Sequence, residues 1–303
     1  MRRIATTAAI LAMSACAANA QPPEPSLSPS KGAGIAGEAP EDARTTFTED
    51  SRFTQGGLAF GQTEPGTAVA LDGEAVPVTQ DGRFVLGFGR DEDTEARLRL
   101  AYSDGNVEER SLRISDRSFP ESRIEGVPSN TVNPYSEEDL EHIAVSTDKK
   151  TRARERWSPD PMWTSGFTWP ARGRISGVFG SQRFYNGEAR RPHSGLDIAA
   201  PDGTTPMQFV GTDIAAPADG VVTLAEPDMF FEGGLVLIDH GQNLESALMH
   251  MSRVDVQAGQ RVQKGDVIGG VGMTGRATGP HVHWSLKWRD RLVDPLLLVE
   301  NEK

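Results

Sequence analysis

The chain is predicted to be mainly β, on three observations. Short apolar runs alternate with period two, as in TAVAL, ARLRLAY and HVHWSLKW, so successive side chains would take opposite faces of a sheet. Asp72-Gly73, Asp81-Gly82 and Asp104-Gly105 lie between such runs, where two-residue hairpin turns belong. In the C-terminal half, short strand-like runs are again separated by Gly, Asp and Pro turns.

Residues 1–20 read as a secretory signal. Met1–Arg3 is a short basic region, and Ile4–Ala15 is an apolar stretch too short to span a bilayer as a mature helix. Ala18-Asn19-Ala20 fits signal-peptidase cleavage before Gln21. Met13-Ser14-Ala15-Cys16 resembles a bacterial lipobox, with Met where Leu is usual and Cys16 as the lipidated residue. The lipoprotein reading is preferred, because Cys16 is the only cysteine and a tether-like segment follows it. Several acyl chains anchor firmly where one binds marginally. One cysteine also rules out an internal disulfide, so the fold must rest on its core. A chain of 303 residues permits two modest cores.

Residues 21–50 are rich in Pro, Ser, Gly, Ala and acidic groups without periodicity, as in a flexible tether. Residues 51–120 read as a small antiparallel β-sandwich of immunoglobulin-like kind, an accessory domain with no visible catalytic group. It would serve as a spacer, with a binding or regulatory role as the sharper reading. Residues 121–160 read as a linker with a helix over Asn133–Trp157. Ser136 and Asp139 form a capping-box pattern, Leu140, Ile143 and Ala144 a thin apolar stripe, and Pro159 and Pro161 a stop. The stripe is expected to dock on a neighbouring domain. Residues 161–303 form the second β-rich domain.

That last segment holds the chemistry. The chain has six histidines, and four of them fall in HSGLD (His193, with Asp197), ALMHMS (His250) and GPHVHWSL (His281, His283). A catalytic zinc takes three protein ligands and leaves a fourth position open, and two His with one carboxylate are a common set. Pro192, Gly195 and Pro201 disfavour a helix around His193 and Asp197. A straight strand would hold their Cα atoms roughly 13 Å apart. A loop bending at Gly195 into a strand at Leu196–Ala199 brings them together. His281 and His283, two apart on a strand, share a face, so one can bind a metal while the other stands beside its water. His142 and His240 read as ordinary surface or satisfied core residues.

These residues carry a resemblance. The segment from about Trp169 to Val299 resembles the LytM/lysostaphin-type zinc endopeptidases of bacterial cell walls, through RISGVFGSQR, RPHSGLDIAAPDGT, APADGVV, GLVLIDHGQNLESALMHMS, VQAGQRVQKGDVIGGVGMTGRATGPHVHWSL and VDPL. The resemblance implies a LytM-type domain, a Zn2+ cofactor, metal ligands His193, Asp197 and His283, and two non-ligand catalytic histidines, His250 and His281. It also implies a peptidoglycan peptide as substrate. Tyr185, Arg183 and Arg191 are candidates for the border of the cleft, with ordinary loop residues as the competing reading. Met207–Ile214 interrupts the family pattern between two turns. A surface loop is the preferred reading of it, and a lid beside the cleft the alternative.

Rival readings remain open. A non-enzymatic peptidoglycan-binding or amidase-activating envelope protein could retain the zinc set, and a zinc peptidase could act on proteins. VQAGQRVQKGDVIGGV has the pattern of a lipoyl or biotinyl carrier, but Lys264 lacks the methionine setting of a modified lysine. Formal net charge is −12, with no basic stripe or aromatic platform, which disfavours nucleic acid. The acidity and the lipobox favour a Gram-negative periplasm with attachment to the envelope. There the cross-link would be D-alanyl–diaminopimelate.

Overall fold

Seven short strands follow one another from Thr45 to Arg113: β1 (Thr45–Phe47), β2 (Leu58–Thr63), β3 (Ala68–Leu71), β4 (Glu74–Val76), β5 (Arg83–Gly87), β6 (Glu95–Ala101) and β7 (Val107–Arg113). The computed structural model describes residues 43–124, 136–185 and 187–299. The signal segment, Cys16 and the tether up to residue 42 lie outside the described residues.

The seven strands form two antiparallel sheets, ordered β1-β2-β5 and β4-β3-β6-β7. An immunoglobulin constant-type sandwich keeps its first, second, fourth and fifth strands together. Here the fourth pairs with the third across the Asp72-Gly73 turn instead. Alternation explains β6, where Ala96, Leu98 and Leu100 are buried between exposed Glu95, Arg97 and Arg99. β5 does not alternate, because both of its faces are covered. On the face of Val85 and Gly87, a Cβ on Gly87 would stand 2.7 Å from Trp288, and Phe60, the partner of Val85, stacks on Trp163 with ring centroids 5.0 Å apart; on the other face Phe84 packs on Phe47 at 5.8 Å.

The second half follows with β8 (Glu121–Ile124), α1 (Glu137–Arg154), β9 (Arg174–Gly177), β10 (Gln182–Tyr185), β11 (Glu188–Ala189), β12 (Leu196–Ala199) and α2 (Pro206–Phe209). Next come β13 (Asp213–Ala215), β14 (Gly220–Met229), β15 (Gly233–Asp239), β16 (Leu244–Met251), β17 (Arg253–Val254), β18 (Arg261–Val262), β19 (Val267–Gly270), β20 (His281–Trp288) and β21 (Arg291–Val293). The main sheet is ordered β18-β14-β15-β16-β20-β12-β9, with β21 paired to β20. β8 joins β10 in parallel.

The main sheet is apolar on both faces. One face carries Ile198, Val236, Ile238, Leu248 and Trp284 into the large core shared with the N-terminal strands. The other carries Leu235, Leu237 and Ala247 against Ala153 of α1. Polar ties stitch the two halves together. Arg117 Nη2 bonds buried Asp294 at 2.8 Å, Arg291 Nε bonds Glu92 at 2.9 Å, and Gln242 Nε2 donates to the Arg83 carbonyl at 3.1 Å.

The helix starts as its capping box dictates. Asp139 N donates to Ser136 Oγ, and Ser136 N to Asp139 Oδ2. Its docking face differs from the expected stripe. Leu140 is exposed, while Ser146 and Ala153 are buried. Polar contacts select that face: Ser146 Oγ accepts from Phe230 N, Lys149 pairs with Glu226 and Lys150 with Glu232.

The segment Met207–Ile214 is more than a surface loop. Phe209 at the end of α2 and Ile214 in β13 are core residues. Gly211 N donates to the Val271 carbonyl, and Val271 N to the Thr212 carbonyl. The next residue, Gly272, bridges to His281. The insertion is therefore braced against the chain that leads to one of the candidate histidines, with Met207 left exposed.

Candidate metal centre

Strand register assembles the centre. On β12 and β20, Asp197 lies directly opposite His283, and Ala199 opposite His281. Cross-strand partners project to the same face, so the carboxylate and the imidazole meet. His193 enters from the loop before β12, where Gly195 lets the backbone come close. A Cβ there would stand 2.2 Å from the Trp284 carbonyl oxygen. Gly177 on β9 makes room for the carboxylate, since a Cβ at that position would meet Asp197 Oδ2 at 2.4 Å.

Three donor atoms converge. Asp197 Oδ1 is 2.8 Å from His283 Nδ1 and 3.1 Å from His193 Nε2, and the two nitrogens are 3.2 Å apart. These three residues form the one group of potential metal-binding side chains among the described residues. A tetrahedral ion with ligand bonds of about 2.0–2.1 Å spreads its ligands about 3.3 Å apart, so the triangle is close to ready-made. Two imidazoles and a carboxylate also match the donor chemistry of such a site.

The outer atoms of the ligand set are occupied. His193 Nδ1 donates to the Val178 carbonyl at 3.0 Å, which leaves Nε2 bare toward the triangle. His283 Nε2 is 3.1 Å from Ser194 Oγ. Burial would raise the Asp197 pKa, but the His193 and His283 imidazoles beside it hold it well below the usual carboxylate range. Arg183 adds a cation 3.8 Å from Asp197 Oδ2.

His250 and His281 stand beside the triangle, with ring centroids 4.7 Å apart and His250 6.2 Å from His283. His250 Nδ1 donates to the Thr274 carbonyl at 2.9 Å and His281 Nδ1 to the Gly279 carbonyl at 2.8 Å. Both rings therefore keep Nε2 as an acceptor when neutral. Burial, reinforced by the neighbouring His281, lowers His250 to about 4. Strict alternation along β16 would send His250 to the Leu248 side of the sheet. Its φ of +64° departs from that pattern, in a region where His is tolerated but uncommon.

The structure thus brings together all five side chains singled out from the sequence. Arg183 joins them, and Arg191 is exposed. His142 lies on α1, 3.3 Å from the Asp228 carbonyl. His240 is fully buried between the Asp219 carbonyl and Ser246 Oγ, each at 2.8 Å. Ser194 and the carbonyls of Val178, Thr274 and Gly279 lie beyond what the sequence pattern predicts. Ser194 stood inside HSGLD, where a hydroxyl next to a ligand was a usable signal. The carbonyls belong to the backbone and leave no trace in residue type.

Comparison with known proteins places this geometry. Residues 191–295, which contain all five side chains, match Peptidase family M23. The peptidoglycan DD-endopeptidase ShyA of Vibrio cholerae is 29% identical over 220 residues, 70% of this chain and 44% of that protein. The DD-carboxypeptidase/endopeptidase Mpg of Neisseria meningitidis is 37% identical over 123 residues, 41% of this chain and 26% of that protein. The chain thus spans less than half the length of these curated relatives. A crystal structure from Pseudomonas aeruginosa assigned to peptidase M23 shares 30% identity at a TM-score of 0.61, covering 82% of this chain and 95% of that one. With likeness along nearly the whole of that structure, and a matched segment that holds the entire centre, the chain belongs to peptidase family M23.

Proposed function

We propose that the protein is a zinc-dependent endopeptidase that hydrolyses peptide cross-links of bacterial peptidoglycan. The observation that carries the reading is the donor triangle of His193, Asp197 and His283 with two further imidazoles at its side. His193 Nε2, Asp197 Oδ1 and His283 Nδ1 would hold the zinc. When bound, the zinc supplies Lewis-acid polarisation of the scissile carbonyl and lowers the pKa of a water there.

The remaining work falls to the chain. His250 and His281, each fixed through Nδ1–H to a carbonyl, present Nε2 to the reacting groups. Between them they accept the proton of the attacking water, donate to the developing oxyanion and return a proton to the leaving amine. His250 is neutral at neutral pH, so it begins the cycle able to accept. Arg183 gives the cleft a cation for an anionic peptide.

The DD-endopeptidase names of ShyA and Mpg support a D,D bond, the D-alanyl–diaminopimelate cross-link, as the one cut. The same reading takes residues 51–120 as an accessory domain and places the protein in the periplasm, anchored through lipid on Cys16.

The test is mass spectrometry of fragments released from purified peptidoglycan by the zinc-loaded protein and by a His250→Ala variant. Conversion of cross-linked dimers to monomers by the unmutated protein alone is expected. Zinc bound without any conversion would sink the enzyme reading in favour of a wall-binding or amidase-activating protein.

A further inference from the structure

Toward the end of β20 that lies away from the metal centre, two adjoining cavities of about 330 and 240 Å³ share Arg156, Trp157 and Asp239 in their walls. Trp157 stands between them and is 46% exposed. An indole left this open forgoes much of the roughly 1.5–3 kcal/mol that burial of a large apolar side chain supplies. It is not loosely held. The next residue, Ser158, donates its N–H to Asp239 Oδ2 at 2.6 Å and accepts from Gln242 N at 2.7 Å.

The groove is rich in unused polar groups. Among the described residues, the Trp157 indole N–H, the Arg156 guanidinium and the Asn243 amide have no hydrogen-bond or ion-pair partner, and Lys287 faces only the longer-range charges of Glu245 and Asp290. Thr223 Oγ1, in the wall of the larger cavity, is buried and unsatisfied. Exposed donors beside a flat aromatic face can exchange their water for the polar groups of a ligand.

Position adds a second argument. Lys287 pairs with Glu245 across β20 and β16, as His283 pairs with Met249. His281, His283, Ser285 and Lys287 alternate along one strand, so the groove opens on the sheet face that carries the metal centre. Along β20 the two are about 13 Å apart. One polymer could engage both.

We propose that this groove binds the N-acetylated glycan strand of the peptidoglycan whose peptides enter the metal centre, an inference that rests on the function proposed above. The apolar face of a sugar ring stacks on Trp157, and hydroxyl and acetamido groups meet Arg156, Asn243 and Lys287. A lipid surface does not fit a groove walled by Asp239 and Glu245 beside its cations, with exposed Asp290 at its edge. Net charge of −12 does not suit a polyanion.

The probe is the β-1,4-linked tetramer of N-acetylglucosamine, which carries no peptide. Binding to the full chain would be followed by indole fluorescence and by amide chemical shifts. Trp157→Ala should weaken binding at least ~5-fold, and Trp157→Phe should restore much of it. In parallel, Trp157→Ala should raise KM on intact sacculi while leaving kcat, and the cleavage of a sugar-free cross-linked peptide, unchanged. No binding at about 1 mM tetramer, or equal binding by Trp157→Ala, overturns the groove. Failure to cleave either substrate overturns the enzyme reading alone, because tetramer binding is read without turnover.

Discussion

Asp197 Oδ1 lies 2.8 Å from His283 Nδ1, and the two residues are direct cross-strand partners on β12 and β20. The centre is thus tied to the most buried part of the sheet rather than to a loop. Only His193 comes from outside a strand, and its ring is pinned by the Val178 carbonyl. A site built this way needs little rearrangement to accept an ion.

Metal content should follow the triangle. Asp197→Ala removes the only anion between two buried imidazoles, and the proposed zinc should be lost with it. Elemental analysis should fall from ~1 zinc per chain to near zero, with hydrolysis abolished. In the unmutated protein, zinc at about 100 times its dissociation constant should add about 2.7 kcal/mol to stability, and a chelator should remove that gain. Melting temperatures unaffected by the chelator would argue against a site of this kind.

His250 should separate chemistry from metal binding. His250→Ala is expected to keep zinc and lose activity by about 10²–10⁴-fold, the usual worth of a positioned acid–base group. Its φ of +64° adds a prediction about stability. His250→Gly should be more stable than His250→Val by about 1–2 kcal/mol, because a β-branched side chain is strained in the left-handed region and glycine is not. Chemical denaturation of the two variants checks the order.

Acid should weaken the core at His240. Its Nδ1–H donates to the Asp219 carbonyl, and Nε2 faces Ser246 Oγ, which also accepts from Trp284 Nε1 at 3.1 Å. This arrangement suits a neutral ring, and burial lowers the pKa to about 4. The unfolded chain binds the proton near pH 6.5 and the folded one does not. Stability is therefore full above about 6.5 and is lost as pH falls toward about 4, by about 3 kcal/mol in all. The loss should be missing from His240→Asn, so the difference between the two denaturation profiles isolates this group from other titrating residues.

Much of the architecture was legible because alternation and turn chemistry are local. The runs HVHWSLKW and LDIA become β20 and β12, and Asp72-Gly73 closes the hairpin between β3 and β4. The pairing of His281 with His283 on one face follows from period two alone. Other features depend on residues far away in the chain. β4 joins the sheet of β3, β6 and β7, a choice no single strand encodes. The helix docks through Ser146, Lys149, Lys150 and Ala153 rather than Leu140, because Glu226, Glu232 and the Phe230 amide wait opposite. The insertion has the composition of a loop, yet its Phe209 and Ile214 fill the core. His250 reaches the centre through a backbone angle, which residue type only permits.

The tie between the two halves should be visible in their joint stability. Asp294 is 3% exposed and accepts from Arg117, while its own N–H donates to the Gly56 carbonyl at 2.7 Å. Burial pushes its pKa up, and Arg117 opposes that rise. Arg117→Ala leaves a buried carboxylate without its cation and should cost about 3 kcal/mol near neutral pH. The sign with pH follows from the raised pKa. A carboxyl whose folded pKa exceeds its unfolded value favours the folded state below that value, and the contribution is lost as pH rises through the folded pKa. Removing Arg117 raises the folded pKa further, so the variant can escape its penalty by taking up a proton. Its deficit should be large at about pH 7 and shrink toward about pH 4. A deficit constant across that range would mean that Arg117 acts through packing on Phe119 and through its bond to the Gln55 carbonyl rather than through charge.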